Sequence, residues 1–232
     1  PERRTTPSLG APPSTREPGR APIRTDTRIG VAGASMGRFQ NTGQPDWDWW
    51  GRVWPTPGAT LRRLGLAAGD HVVEIGSGNG YFALPAARVA GPATVYAVDV
   101  DAGLLGELDA LATTQEVDNV TAVEGDARAL PELLPEPVDF ALFANAFHGV
   151  TDRAAFVESV AAVLADDGRF AVVNWRNRPR EETTVDGEPR GPPTDLRLSP
   201  AETRRAVEGS GAFRLAAEVD LPPYHYGLVF ER

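Results

Sequence analysis

The sequence predicts an α/β domain: a doubly wound sheet of seven strands, mostly parallel, with an antiparallel C-terminal hairpin strand. Three observations point there. From His71 onward short apolar runs alternate with helical stretches, the pattern of a parallel sheet covered on both faces. A glycine-rich turn joins the first apolar run directly to the first helix of the series. Only Asp220–His225 separates the last two runs, too little chain for a crossover helix, so these two must pair antiparallel at the sheet edge.

The predicted strands are His71–Ile75, Thr94–Val98, Val120–Val123, Phe140–Ala144, Arg169–Trp175, Phe213–Val219 and Tyr226–Glu231. Helices are predicted over Tyr81–Ala90, Ala102–Thr113 and Asp152–Ala165, where apolar residues recur at three- and four-residue spacing. Thr151 or Asp152 caps the last of these, and Ser199 opens one more helix after a Pro/Gly-rich loop.

Ahead of the sheet the chain divides in two. Residues 1–35 hold six prolines and six arginines against three acids and show no periodicity, which reads as a disordered tail. Met36, the single methionine, directly precedes the part that looks folded and is a possible natural start. Residues 36–68 form an aromatic segment with Trp47, Trp49, Trp50 and Trp54 inside eight positions: either a lid or an amphipathic helix anchored on the sheet. Residues 69–232 are the expected catalytic domain.

Composition narrows the chemistry. Among 232 residues the formal charge is -9, and with +3 on the tail the remainder carries -12, which repels a phosphate backbone and an anionic membrane surface. Nucleic acid and membrane are therefore not expected as partners. Every basic residue is arginine, so lysine Schiff bases and P-loops are excluded. No cysteine exists for a disulfide, a thiolate nucleophile or a thiolate metal site, and the three histidines lie far apart, so no metal centre is expected. The chain reads as a soluble cytoplasmic protein without a transmembrane run. Acidity without lysine fits a halophilic host, and a GC-rich coding bias gives the same composition.

The most informative stretch is His71-Val72-Val73-Glu74-Ile75-Gly76-Ser77-Gly78-Asn79-Gly80-Tyr81. Three glycines at alternate positions let the backbone turn sharply and let a ligand approach without a β-carbon in the way. A dinucleotide fingerprint needs its third glycine where this chain has Tyr81, whereas this spacing after a strand acid fits a nucleoside without pyrophosphate. Asp99, ending the second strand, is placed to accept two hydrogen bonds from a ribose diol. Asp126, after the third, is placed to accept one from an exocyclic amine.

These residues resemble the class I S-adenosylmethionine-dependent methyltransferases, over nearly all of Asp70–Arg232. The stretch Val138–His148 is similar to the small-molecule branch with ubiquinone and menaquinone methyltransferases (methyltransferase domain 11/25-like). The resemblance implies a Rossmann-like fold and S-adenosylmethionine as cofactor. It implies that the glycine loop Gly76, Ser77, Gly78, Asn79 and Gly80 faces its methionine part, Asp99 its ribose, Asp126 with Ala127 its adenine, and Asn145 the reaction centre, with Glu74 and Val100 also among the cofactor contacts. Asn145-Ala146-Phe147-His148 departs from the Asn/Asp-Pro-Pro-aromatic run of amino-methylating enzymes, and the lack of cysteine disfavours arsenite methylation.

The implied function is methyl transfer by in-line displacement to a small-molecule acceptor, which requires positioning and exclusion of water. His148 is the candidate general base, or else packs or caps the following helix. Candidate acceptor contacts are Trp50, Trp54, Trp175, Arg176, Arg178 and Tyr224. The arginines after the fifth strand, with Arg190, either clamp an acidic substrate or pair with Glu181, Glu182 and Asp186. Two other functions remain open at this point: a nicotinamide-dependent oxidoreductase on a similar sheet, and a non-catalytic cofactor-binding partner protein.

Overall fold

The structure, a computed structural model, describes residues 38–232. The tail predicted over 1–35 and the proposed start at Met36 lie outside the described residues. In chain order the elements are α1 (Trp47–Val53), α2 (Pro57–Arg63), β1 (Val72–Ile75), α3 (Ala83–Ala90), β2 (Val95–Asp99), α4 (Ala102–Thr114), β3 (Val120–Glu124) and α5 (Leu130–Leu133). There follow β4 (Val138–Ala144), α6 (Arg153–Val163), β5 (Leu164–Trp175), β6 (Thr184–Val185), β7 (Glu188–Pro189), α7 (Pro200–Glu208), β8 (Arg214–Leu221) and β9 (His225–Glu231).

Seven strands form one sheet in the order β3-β2-β1-β4-β5-β9-β8. The first five run parallel, and β9 lies antiparallel between β5 and β8. The Rossmann-like architecture expected from the sequence is what the chain adopts. Side chains alternate across it. Val73, Ile75, Ala141, Phe143, Phe170 and Val172 face one helix layer with Leu130, Phe156, Val160 and Val207. Val72, Phe140, Leu142, Ala171 and Val173 face the other, with Leu61, Leu64, Ala83, Ala86 and Trp50. Burial on both faces is why these strands read as nearly unbroken apolar runs. Each fully buried Phe, such as Phe140, Phe143 or Phe156, contributes about 2–3 kcal/mol through the area it removes from water.

Helix starts follow local chemistry. Asp101 accepts from the amides of Gly103 and Leu104, Asp152 from that of Ala155, and Ser199 forms a reciprocal capping box with Glu202. Of the two caps considered for α6, Asp152 is the one used.

Boundaries shift where packing overrides periodicity. Helix α3 begins at Ala83, two residues later than expected, because Tyr81 and Phe82 still belong to the glycine turn. Strand β5 begins at Leu164, where helix was expected to continue: Leu164 pairs with Val138 before the register shifts and resumes at Phe140 and Arg169. The hairpin β6–β7 has no apolar alternation to announce it. Its turn is Asp186-Gly187, with φ of 56° and 82°, the two-residue turn that matches strand twist.

Candidate active site

In an open parallel sheet the C-terminal strand ends form the crevice, at the point where strand order reverses. Here that point lies between β1 and β4. A cavity of about 370 Å³ opens there, walled by the ends of β1, β2, β4 and β5 and by the loop after β3.

The glycine loop is held by backbone bonds to β2. The amides of Gly76 and Ser77 both donate to the carbonyl of Val98, at 2.8 and 3.1 Å. Gly76, Gly78 and Gly80 have φ of 70°, 55° and 89°, a region in which a β-carbon is strained. At Gly80 a β-carbon would also stand 3.0 Å from Leu108 of α4. Gly78 and Asp101 donate their amides to the two carboxylate oxygens of Asp99, at 2.8 and 2.9 Å. The β2 acid is thereby fixed against the loop with lone pairs left over for a diol.

Among the described residues, four polar atoms at the β1 and β4 ends of the cavity are buried without a partner. Glu74, on β1, is 3% exposed with Oε2 unpaired, and Ser77 Oγ and both side-chain polar atoms of Asn145 are also buried without a partner. Burial first, then the negative charge of Asp99, pushes the Glu74 carboxyl well above its ordinary value, although the Ala83 amide opposes this. Burial likewise raises Asp99, against the pull of the Gly78 amide and Arg38. Asn145 follows β4 with φ of 61°, a conformation rare outside glycine and concentrated at functional positions. An orphaned acceptor at β1, an acid at β2 and an orphaned amide at β4 suit a ligand with a cationic group, a diol and a reactive centre in that order.

Of the predicted cofactor residues, Glu74, Gly76, Ser77, Gly78, Asp99, Val100, Asp126, Ala127 and Asn145 line the cavity. Asn79 and Gly80 stand behind the loop. Asn79 is engaged structurally, accepting from Trp47 Nε1 at 2.9 Å and donating to Glu107 at 3.0 Å. Asp126 both lines the cavity and caps the short helical turn of Ala127–Ala129, bound by the amide and guanidinium of Arg128. Burial pushes its carboxyl up, and the Arg128 contacts outweigh that and hold it below its ordinary value.

His148 lies on a short turn, Phe147–Gly149, and lines the cavity. Its Nε2 is 3.2 Å from the carbonyl of Asn41. A carbonyl can only accept, so Nε2 carries the proton and Nδ1 keeps the lone pair. Burial, with Arg197 and Arg153 nearby, lowers its pKa and keeps the ring neutral, although the Asn41 bond opposes this.

The predicted acceptor residues separate into two groups. Trp50 and Trp175 line the cavity. Trp54, Arg176, Arg178 and Tyr224 do not: Trp54 packs on Phe82 and His225, Arg176 pairs with Asp220, Arg178 is exposed, and Tyr224 bonds the carbonyl of Thr184 at 2.7 Å. Arg180 and Arg190, both within the arginine group considered from sequence, do reach the cavity.

The sequence marks residues 36–68 as a lid or an anchored helix but points to no site residue among 38–45, most of which line the cavity. Residues 38–45 cross the cavity: Arg38 pairs with Asp101, Phe39 meets Phe143 and Phe156 edge-on, and Gln44 sits where a β-carbon on Gly78 would be. No periodicity marks this stretch; the lone aromatic Phe39 is its one signal. Among the described residues no group of three or more histidines and acids is arranged to hold a metal, and no helix is long and apolar enough to cross a membrane.

Fold and strand-end chemistry together define a doubly wound, nucleoside-binding domain that takes a ligand without a pyrophosphate. Residues 72–168 match a family described as "Methyltransferase domain". A methyltransferase dependent on S-adenosylmethionine (SAM) from Aquifex aeolicus superposes with a TM-score of 0.65 at 23% identity, over 75% of this chain and 88% of that one. A putative type 11 methyltransferase from Sulfolobus solfataricus is 27% identical, with a TM-score of 0.52 over 70% and 83% of the two chains. The magnesium protoporphyrin IX methyltransferase of Synechocystis PCC 6803, solved with bound SAM, is 18% identical, with a TM-score of 0.57 over 80% and 90%. No curated protein matches the chain significantly. Over residues 72–168 the chain thus matches a methyltransferase domain, and its fold is the one these S-adenosylmethionine-dependent methyltransferases share.

Proposed function

We propose that the chain methylates a small-molecule acceptor held beside Asn145, under the roof of residues 38–45. The observation that supports this most is the shape of the site. A cavity of about 370 Å³, bounded by Phe39, Gln44, Trp49, Trp50, Trp175 and Pro192, suits a small ligand. The acidity of the chain agrees.

S-adenosylmethionine, when bound, supplies an electrophilic methyl group on a sulfonium. The chain's own residues do the rest. Asp99 binds the ribose hydroxyls, Glu74 and Ser77 hold the amino-acid end, and Val100, Asp126 and Ala127 border the base. Asn145 turns its unpaired amide toward the reacting region from a conformation that β4 and the Val173 carbonyl fix, its own amide donating at 2.7 Å. His148 Nδ1 takes a proton where the acceptor must lose one. The roof and the tryptophans exclude water and align the reactants, which is the main demand of a displacement.

The test is twofold. S-adenosylhomocysteine is titrated calorimetrically into the wild type and into Asp99→Ala, and labelled methyl transfer to a small-metabolite panel is measured at low and high salt. Binding that collapses in the variant, with label appearing in small products, supports the proposal. Binding without any transfer favours a cofactor-binding partner protein, and label transferred only to macromolecules overturns the choice of acceptor.

A further inference from the structure

Building on the small-molecule reading above, we propose that the acceptor carries a carboxylate, bound by Arg180 and Arg190, and a flat apolar body that lies against Trp49, Trp50 and Trp175. The sheet order lays out charge along the cavity. The acids Glu74, Asp99 and Asp126 lie on β1, at the end of β2 and after β3, whereas Arg180 and Arg190 belong to the loop after β5, beyond the proposed reaction centre at β4.

Three arginines line the cavity, and these two differ from the third, Arg38, which pairs with Asp101. Among the described residues seven arginines hold a carboxylate within 4.0 Å: Arg38, Arg52, Arg128, Arg169, Arg176, Arg204 and Arg214. Arg180 and Arg190, like eight other arginines, hold none among the described residues, but these two line the cavity. Arg190 has its guanidinium carbon 4.9 Å from the ring centre of Trp49, and its Nε is buried without a partner. Arg180 spends its Nε on the carbonyl of Gly191 at 3.0 Å, and no partner of its Nη atoms is found among the described residues. Glu181 and Asp195, on the same loop, line an outer opening that Arg180 also borders, without an ion pair to it. The Asp186 that was a candidate partner binds Arg52 instead.

The loop is built to hold this charge in place. Arg197, 6% exposed, donates to the carbonyls of Pro192, Arg178 and Arg190 and to Thr183 Oγ1, tying both sides of the loop together, and lies over Trp175. Its pKa is lowered by burial and by the charge of Arg180, against the opposing charge of Glu181. A planar guanidinium recognises a carboxylate through paired hydrogen bonds, and an aromatic wall receives a flat body.

The test uses protein saturated with S-adenosylhomocysteine and follows tryptophan fluorescence and calorimetry. The probes are matched pairs: 4-hydroxybenzoate with 4-hydroxybenzamide, and indole-3-acetate with indole-3-acetamide. In the wild type at least one acid binds about tenfold or more tighter than its amide. The preference disappears in the Arg180→Gln/Arg190→Gln double variant, survives in Arg178→Gln, and leaves homocysteine-nucleoside affinity unchanged. If the double variant fails to bind that nucleoside, Arg190→Lys is read instead, and a preference reduced severalfold is expected. Acid and amide binding equally, no acid binding at all, or a preference that survives both variants overturns the proposal. Failure of the wild type to bind the nucleoside overturns the cofactor assignment instead.

Discussion

Replacing Glu74 by Gln separates a ligand-binding acid from a structural one, because the two roles predict opposite signs. The carboxyl is 3% exposed on β1, with one oxygen supported by the Ala83 amide and Oε2 unpaired. Its folded pKa is raised well above 4.5, so the folded state binds more protons than the unfolded one between 4.5 and that higher value. The stability it contributes is therefore complete below pH 4.5 and is lost as pH rises through the folded value. At pH 8 the ligand-free wild type bears that loss and Glu74→Gln does not, so the variant melts at a higher temperature. Binding moves the other way. A charge-assisted hydrogen bond to an ammonium group contributes about 1.5–3 kcal/mol, and at about 1.4 kcal/mol per decade its loss weakens S-adenosylhomocysteine roughly ten- to a hundredfold. Calorimetry at pH 8 reads the affinity. Titrations from pH 4.5 upward in buffers of different ionisation heat read a proton released on binding between 4.5 and the raised value, present in the wild type and absent in the variant. An unchanged affinity together with a lower melting temperature would refute the assignment.

Three further perturbations follow from the geometry. Asn145→Gly relieves a φ of 61°, so stability holds or rises by up to about 1 kcal/mol, while labelled methyl transfer in a single turnover falls; an unchanged rate would remove Asn145 from the reaction centre. His225 is fully buried with both ring nitrogens unpartnered, and burial, aided by Arg197 and Arg176, holds its pKa well below 6.5. The unfolded state then binds the extra proton, and stability falls as pH drops below 6.5, by up to about 1.4 kcal/mol per pH unit for this group. Urea midpoints at pH 7.5 and 5.5 should differ less in His225→Phe than in the wild type. Phe39→Ala removes ring contacts at 5.6 and 5.7 Å to Phe143 and Phe156; a stability loss of about 1–2 kcal/mol and faster release of S-adenosylhomocysteine by stopped flow are expected. An unchanged release rate would mean that the roof does not gate the site.

What was legible in the sequence is what local chemistry dictates. The glycine triplet needs positive φ at Gly76, Gly78 and Gly80, and no other residue type adopts that as freely, so the turn announced itself. Continuous apolar runs such as Val72–Ile75 followed from burial on both faces, with Glu74 visible as the exception. The roof was illegible because its contacts span the chain: Arg38 to Asp101, Asn41 to His148, Gln44 to Asn79. The arginines show the same limit. Sequence presented Arg176, Arg178, Arg180 and Arg190 as one group, but whether each meets a partner depends on Asp220, which hydrogen-bonding across β8 and β9 brings to Arg176 and not to Arg180.

Charge segregation along the strand ends links the cofactor to its acceptor. Strands lie about 4.8 Å apart, so Asp99 on β2 and Trp175 on β5 are about 14 Å apart across the sheet edge, room for a nucleoside end and an acceptor in line. Acids concentrate where a sulfonium nucleoside brings positive charge, and unpaired arginines concentrate past Asn145. In a cavity shielded from water this arrangement does two things at once. It favours a cation at one end and an anion at the other, and it disfavours the reverse orientation, because an anion beside Glu74 and Asp99 would be both desolvated and repelled. A displacement that joins a cationic donor to a nucleophile depends on that order. On the proposed reading, the same sheet that fixes the glycine loop also sets which partner stands on which side of Asn145.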